Sequence, residues 1–182
     1  MDIKGEEFLL YCAVADVALL TTLGNNKLID SEYYKQLNWP WSNDNANTKI
    51  IKEVLKQADF GNPVMMIMQL FILLVMPKQL TSDYSAFCKN DFNNLFDELK
   101  KTVDSTYPYD KEKTDYYRHI RNSLSHSNYK FYNEGEISFV EFTDKAENNS
   151  YSFKAEILYT DVSKILDHLC GKMMEYLNRH GV

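Results

Sequence analysis

The run YYRHIRNSLSHSNY, residues 116–129, decides how the rest of this chain is read. At about 100° per residue, Tyr116, Tyr117, Ile120 and Leu124 fall within roughly a 100° sector of an α-helix, an apolar stripe that needs a partner surface. Round the remaining face come Arg121, Ser125, Arg118, Asn122 and His126. Arg121 and His126 stand five residues apart, roughly 140° round an ideal helix, so they converge only if the helix stops near His126. Ser125, Ser127 and Asn128 allow it to stop there, because their side chains compete for backbone hydrogen bonds. Taken bare, a face of Arg, Asn, Ser and His opposite an apolar stripe is also what any solvated surface helix shows.

Upstream, the periodicity is helical. Apolar residues from Glu6 to Leu23 recur densely enough for a mostly buried first helix, which Gly24-Asn25-Asn26 closes. Asp30-Ser31 can cap a short helix through Leu37, and NWPWSNDNANT follows as a loop whose tryptophans pack as a lid. Ile50, Ile51, Val54, Leu55 and Ala58 predict a second long helix over about Thr48 to Phe60. A third begins at Pro63 and ends at Val75, before Pro77. A fourth starts near Asp91 and carries Phe92, Leu95, Phe96, Leu99 and Val103 until the loop DSTYPYD; the motif helix then spans about Asp110 to His126.

Beyond Asn128 the period falls to two: Ile137, Phe139 and Phe142, then Tyr151, Phe153, Ala155 and Ile157, alternate with polar residues, and EGE and DKAENNS read as turns. A last helix, capped by Asp161, carries Val162, Ile165, Leu166, Leu169, Met173, Tyr176 and Leu177 to about Arg179. The expected fold is mainly α: a helical bundle with a small antiparallel β insertion between the motif helix and the C-terminal helix. A length of 182 residues suits one domain, helical over 1–128, with the insertion at about 129–158 and the closing helix at about 161–179.

Composition excludes several functions. Formal net charge is -6, so bulk electrostatics will not draw in phosphate backbones and any nucleic-acid contact must be local. Cys12, Cys88 and Cys170 lie far apart with no metal-ligand spacing, which argues against a zinc site or a disulfide framework and fits a reducing cytoplasm. PVMMIMQLFILLVMP offers about 13 residues between its prolines where a membrane span needs about 20, so it reads as a core helix, MMIM included. The first residues do not read as a signal peptide. GxSxG, HExxH, Walker-type and GxGxxG patterns do not occur. His119, His168 and His180 belong to no clear spacing and read as structural or solvated.

Arg121, Asn122 and His126, on a helix that follows a bundle and precedes a hairpin and a closing helix, give the chain a resemblance to the HEPN superfamily. Members carry an Arg, four to six residues, then a His, often with a polar residue after the Arg. The resemblance implies a metal-independent endoribonuclease needing no cofactor, active as a homodimer with two Arg/His pairs facing each other, as in toxin-antitoxin and phage-defence systems. Certain members carry a Tyr two residues after the His that a partner nucleotidyltransferase adenylylates; here Tyr129 stands three after His126.

The residues suit that chemistry. Attack by a ribose 2′-OH on the adjacent phosphate needs a base, an acid and a stabiliser of developing negative charge, and protein groups can fill all three roles. His126 would be base or acid, and Arg121 would grip the phosphate through its planar fork. Asn122 would orient substrate or histidine, with Arg118 and Ser125 in support. Asp16, a carboxylate in a nearly apolar helix, wants a cation, Arg121 being one candidate and water at the helix edge the other. Tyr129, Phe131 and Tyr132 either stack single-stranded bases or pack on the bundle. One histidine cannot serve both sides of one phosphate, so the site is expected at a dimer seam. The other reading is a non-catalytic dimeric module that binds nucleotide, RNA or a protein such as an antitoxin. A helical partner protein with no nucleic-acid role is the third.

Overall fold

The computed structural model describes residues 6–36, 49–50, 53–54, 62–148 and 150–179. Helix α1 (Glu6–Asn25) is followed by a 3-10 turn and the short α2 (Glu32–Gln36), where Ser31 Oγ accepts from Tyr34 N–H at 3.1 Å as the helix cap. The tryptophan loop and most of the second long helix lie outside the described residues, although Lys49, Ile50, Glu53 and Val54 are helical. α3 (Pro63–Leu70) opens on Pro63 with Asn62 Oδ1 capping Val64 and Met65, both at 3.1 Å.

Pro77 does not end this helix. A π turn over Phe71–Val75 leads into α4 (Met76–Leu80), and Met76 N–H reaches back to Phe71 O. Proline cannot donate to the preceding turn and its ring crowds that turn's carbonyl; the wider π turn absorbs both effects without breaking the axis. The apolar helix is therefore longer than its prolines suggest. Phe8–Asn25 and Pro63–Leu80, 18 residues each, are long and apolar enough by length and composition to cross a membrane. In the second, Leu70, Leu73 and Leu74 are wholly buried in the protein core.

α1 is not mostly buried. Leu10, Ala13 and Val17 face the core, whereas Phe8, Leu9 and Leu19 are exposed, so the dense apolar sequence serves two faces rather than one. Met68 of MMIM is also exposed, with Ile67 the buried member of that run.

α5 (Ser82–Leu99) starts nine residues earlier than the apolar spacing suggests, because Thr81 Oγ1 accepts from Asp83 N–H and makes the cap. It stops at Leu99, and the chain turns directly into β1 (Lys100–Ser105). Val103 is thus a strand residue, opposite Ala155, and not the last turn of a helix. One valine in KKTVDS carries too little alternation to be seen as a strand by period.

α6 (Tyr116–Ser125) is the motif helix, preceded by a 3-10 turn at Pro108–Asp110, so it begins six residues after Asp110. β2 (Tyr129–Glu134) and β3 (Ile137–Lys145) form a hairpin whose two-residue turn has Gly135 at φ +63°, the position where such turns favour glycine. β4 (Ser152–Leu158) and the closing α7 (Val162–Arg179) complete the chain. Asp161 lies in the 3-10 turn before α7 and pairs with Lys164 at 2.8 Å.

Among the described residues the sheet is antiparallel with order β1-β4-β3-β2. It draws one strand from before the motif helix and three from after it, so it is more than an insertion between α6 and α7. Register puts Phe131, Val140 and Ile157 in one row and Tyr129, Phe142 and Ala155 in the next, facing α6. Phe142, Phe96 and Tyr116 continue that layer into the helices, with Phe96 and Tyr116 centroids 5.0 Å apart. On the other face Glu141 lies between Lys130 and Lys154 at 3.1 and 2.8 Å, which satisfies a carboxylate that is nearly buried.

Candidate functional site

α6 is fixed before its polar face is considered. Tyr116, Tyr117, Ile120 and Leu124 are all buried, as their stripe requires. Tyr117 N–H donates to Asn93 Oδ1 of α5 at 2.7 Å, and Tyr116 OH donates to Asp97 Oδ1 at 2.7 Å. Burial, only partly offset by the Ser85 hydroxyl, pushes the Tyr117 phenol up to about 12, so it stays neutral and acts as packing.

The helix ends where convergence of Arg121 and His126 demands it. His126 is the C-cap and Ser127 adopts φ +55°. Ser127 N–H donates to Leu124 O at 3.2 Å and Asn128 N–H to Ser123 O at 2.8 Å, the paired bonds of a Schellman end with serine where glycine is usual. Asn128 O then accepts from Thr143 N–H at 2.9 Å, tying the helix end to β3.

Beside this end lies an open cleft of about 490 Å³, lined by Arg118, Asn122 and His126 of α6, Tyr107 before it, and the segment from Asp144 to Asn148 after it. The three α6 residues are spaced i, i+4, i+8 and form one column on the helix surface. Arg121 is not in that lining. It lies about 60° round the helix from Arg118, on the Tyr117 side, half-buried, and its Nη2 donates to Asn122 Oδ1 at 3.3 Å.

Behind the cleft is a buried polar chain that residue spacing did not reveal. His119, wholly buried, has Nδ1 2.7 Å from Asp144 Oδ2 and Nε2 2.9 Å from Asp110 Oδ2. Each ring nitrogen thus faces a carboxylate oxygen within hydrogen-bond distance, and the two contacts fix the ring between the 3-10 turn and β3. Asp110 also accepts from Ser105 Oγ at 2.5 Å and, through Oδ1, from Asp115 N–H at 3.2 Å. Asn122 Nδ2 donates to Asp144 Oδ2 at 3.1 Å. That bond turns the amide so that its oxygen faces Arg121. Burial and then the Asp144 charge hold the Tyr107 phenol above its ordinary range.

Sequence did contain a signal for this chain. Along β3, Val140, Phe142 and Asp144 occupy alternate, inward positions, so Asp144 points at α6 and needs a partner. His119 sits on the other edge of the apolar stripe, next to Ser123, whose Oγ lies 2.8 Å from His119 O and 2.7 Å from Thr143 O.

The other expected residues are placed as follows. Ser125 is exposed and donates to Arg121 O at 2.9 Å, which closes the helix rather than facing the cleft. Asp16 is exposed on α1, and no ion pair among the described residues joins it to Arg121. Tyr129 and Phe131 pack against the core.

The site is thus a polar, cation-bearing cleft beside an Arg/Asn/His helix end, on a mainly α scaffold whose described residues carry one antiparallel sheet. The family model described as HEPN pEK499 p136 matches residues 14–180, and the chain belongs to that HEPN family. No curated protein and no solved structure matches it.

Proposed function

We propose that the protein is a metal-independent endoribonuclease that cuts single-stranded RNA by 2′-OH attack. Family membership supports a nuclease or nucleotide-binding module. The observation that carries the finer reading is that Arg118, Asn122 and His126 share one open cleft at a helix end built to present His126.

His126 takes the proton from the 2′-OH as the oxygen bonds to phosphorus, and an acid returns a proton to the departing 5′-oxygen, leaving a 2′,3′-cyclic phosphate and a 5′-hydroxyl. Arg121 stabilises the phosphoryl oxygens of the transition state, oriented through Asn122 and Asp144. HEPN domains generally act as dimers, and a two-fold homodimer supplies a second His126 as the acid and a second Arg121 at the same phosphate. The chain acts in this reading as one cytoplasmic domain without cofactor, in a toxin-antitoxin or phage-defence setting with an antitoxin or nucleotidyltransferase as regulator.

One observation favours a second reading. Within a single chain Arg121, the expected stabiliser of the phosphoryl oxygens, stays outside the cleft that His126 lines, which fits a non-catalytic module that holds a nucleotide. Cleavage of single-stranded RNA in EDTA separates the two: wild type cuts, and His126→Ala loses at least about a hundredfold in rate with unchanged circular dichroism. Equal cutting by both proteins would end the catalytic reading.

A further inference from the structure

A run of planar groups leads from the core to the rim of the cleft. The His119 ring lies on Phe153 with centroids 4.3 Å apart and planes within 10°. Tyr109 stacks on the same imidazole at 6.1 Å with planes within 7°. The guanidinium carbon of Arg118 lies 4.6 Å over the Tyr109 ring. Phe153 and His119 are buried, Tyr109 is 46% exposed, and Arg118 is exposed and lines the cleft beside Asn122 and His126. No carboxylate among the described residues forms an ion pair with Arg118.

An arginine that only balanced charge would sit against Asp or Glu. Here its guanidinium carbon lies over an aromatic ring, which packs in turn against Tyr107 at 5.2 Å and faces the imidazole of a histidine anchored at both nitrogens to carboxylates. An arginine seated on a ring and without an ion-pair partner among the described residues can offer a planar cationic group to a further ring at the cleft mouth, with N–H donors for acceptors beside it. Unstacked bases of single-stranded RNA are recognised on aromatic and guanidinium planes in this way.

We infer that Arg118, seated on Tyr109, is a base-stacking subsite for a nucleotide next to the scissile phosphate. This rests on the ribonuclease reading and adds a substrate contact to it. Tyr129 and Phe131, which pack against the core, do not fill this role. The subsite favours substrates with a base at that position and is indifferent to an abasic sugar-phosphate.

The test uses the full chain and a set of 2′-O-methyl single-stranded oligonucleotides, uncleavable, each carrying 2-aminopurine or an abasic residue at one position. Wild type should quench 2-aminopurine at one position of the set. Arg118→Lys, which keeps the charge and loses the plane, and Tyr109→Leu, which removes the seat, should each weaken binding about tenfold and abolish that quenching. Tyr109→Phe should restore both, and the oligonucleotide abasic there should bind wild type and variants alike. If wild type cleaves RNA but Arg118→Lys binds and quenches as wild type does, Arg118 is a point charge and the subsite is overturned alone. If wild type neither binds nor cleaves RNA, both readings fail together.

Discussion

At the scale of single residues, the most consequential side chain is His119. It carries no exposed surface, yet it joins the 3-10 turn through Asp110, the sheet through Asp144 and, one bond further, Asn122 at the cleft. Replacing it with Phe keeps the ring stacked on Phe153 but takes one partner from each of two buried carboxylates. His119→Phe should therefore cost about 1–3 kcal/mol, read as a lowered urea midpoint, and an unchanged midpoint would mean the two imidazole–carboxylate contacts contribute nothing to folding. The sequence alone exposed Arg121, Asn122 and His126 because Arg and His are scarce in this chain and their spacing is short. It placed Asp144 inward in the alternation of β3 but did not name its partner, because the His119–Asp144 contact spans 25 residues, from a helix to a strand, and no motif links such positions. It also could not tell that Arg118 and not Arg121 would share the cleft with His126, since an ideal-helix angle does not say which flank of the stripe the sheet leaves open.

At the scale of elements, the end of α6 sets where His126 points. Its Schellman turn holds Ser127 in the left-handed region, where a Cβ costs about 1–2 kcal/mol. Ser127→Gly removes that strain but loosens the unfolded chain, so a net gain of up to about 1 kcal/mol is expected by thermal melting. A loss of stability would show that the serine side chain contributes something its backbone does not. Helices with long apolar stripes, α6 and α7 above all, were legible because their period repeats through several turns. β1 was not, because KKTVDS has one apolar residue and follows a helix without a turn signal. The π turn was missed for a related reason: Pro77 is a reliable stop only when the preceding helix cannot widen, and FILLV widens with Leu73, Leu74 and Val75 still buried.

At the scale of the whole molecule, the catalytic reading makes the number of histidines a property of the assembly. If one cut needs His126 from both copies, wild-type protein mixed and re-equilibrated with excess His126→Ala should lose activity as the square of the wild-type fraction. A linear loss would place the reaction within single chains. The strand order has a further consequence, for synthesis. The cleft's lining begins at Tyr107 and ends at Asn148, and β1 finds its partner only when Ser152 to Leu158 have been made. A chain growing from its N-terminus thus carries Arg118, Arg121 and His126 on a helix packed only against α5 and the earlier helices, without the carboxylate and aromatic backing that β3 and β4 supply. The cleft is therefore completed late in synthesis, when β4 has been made and little besides α7 remains.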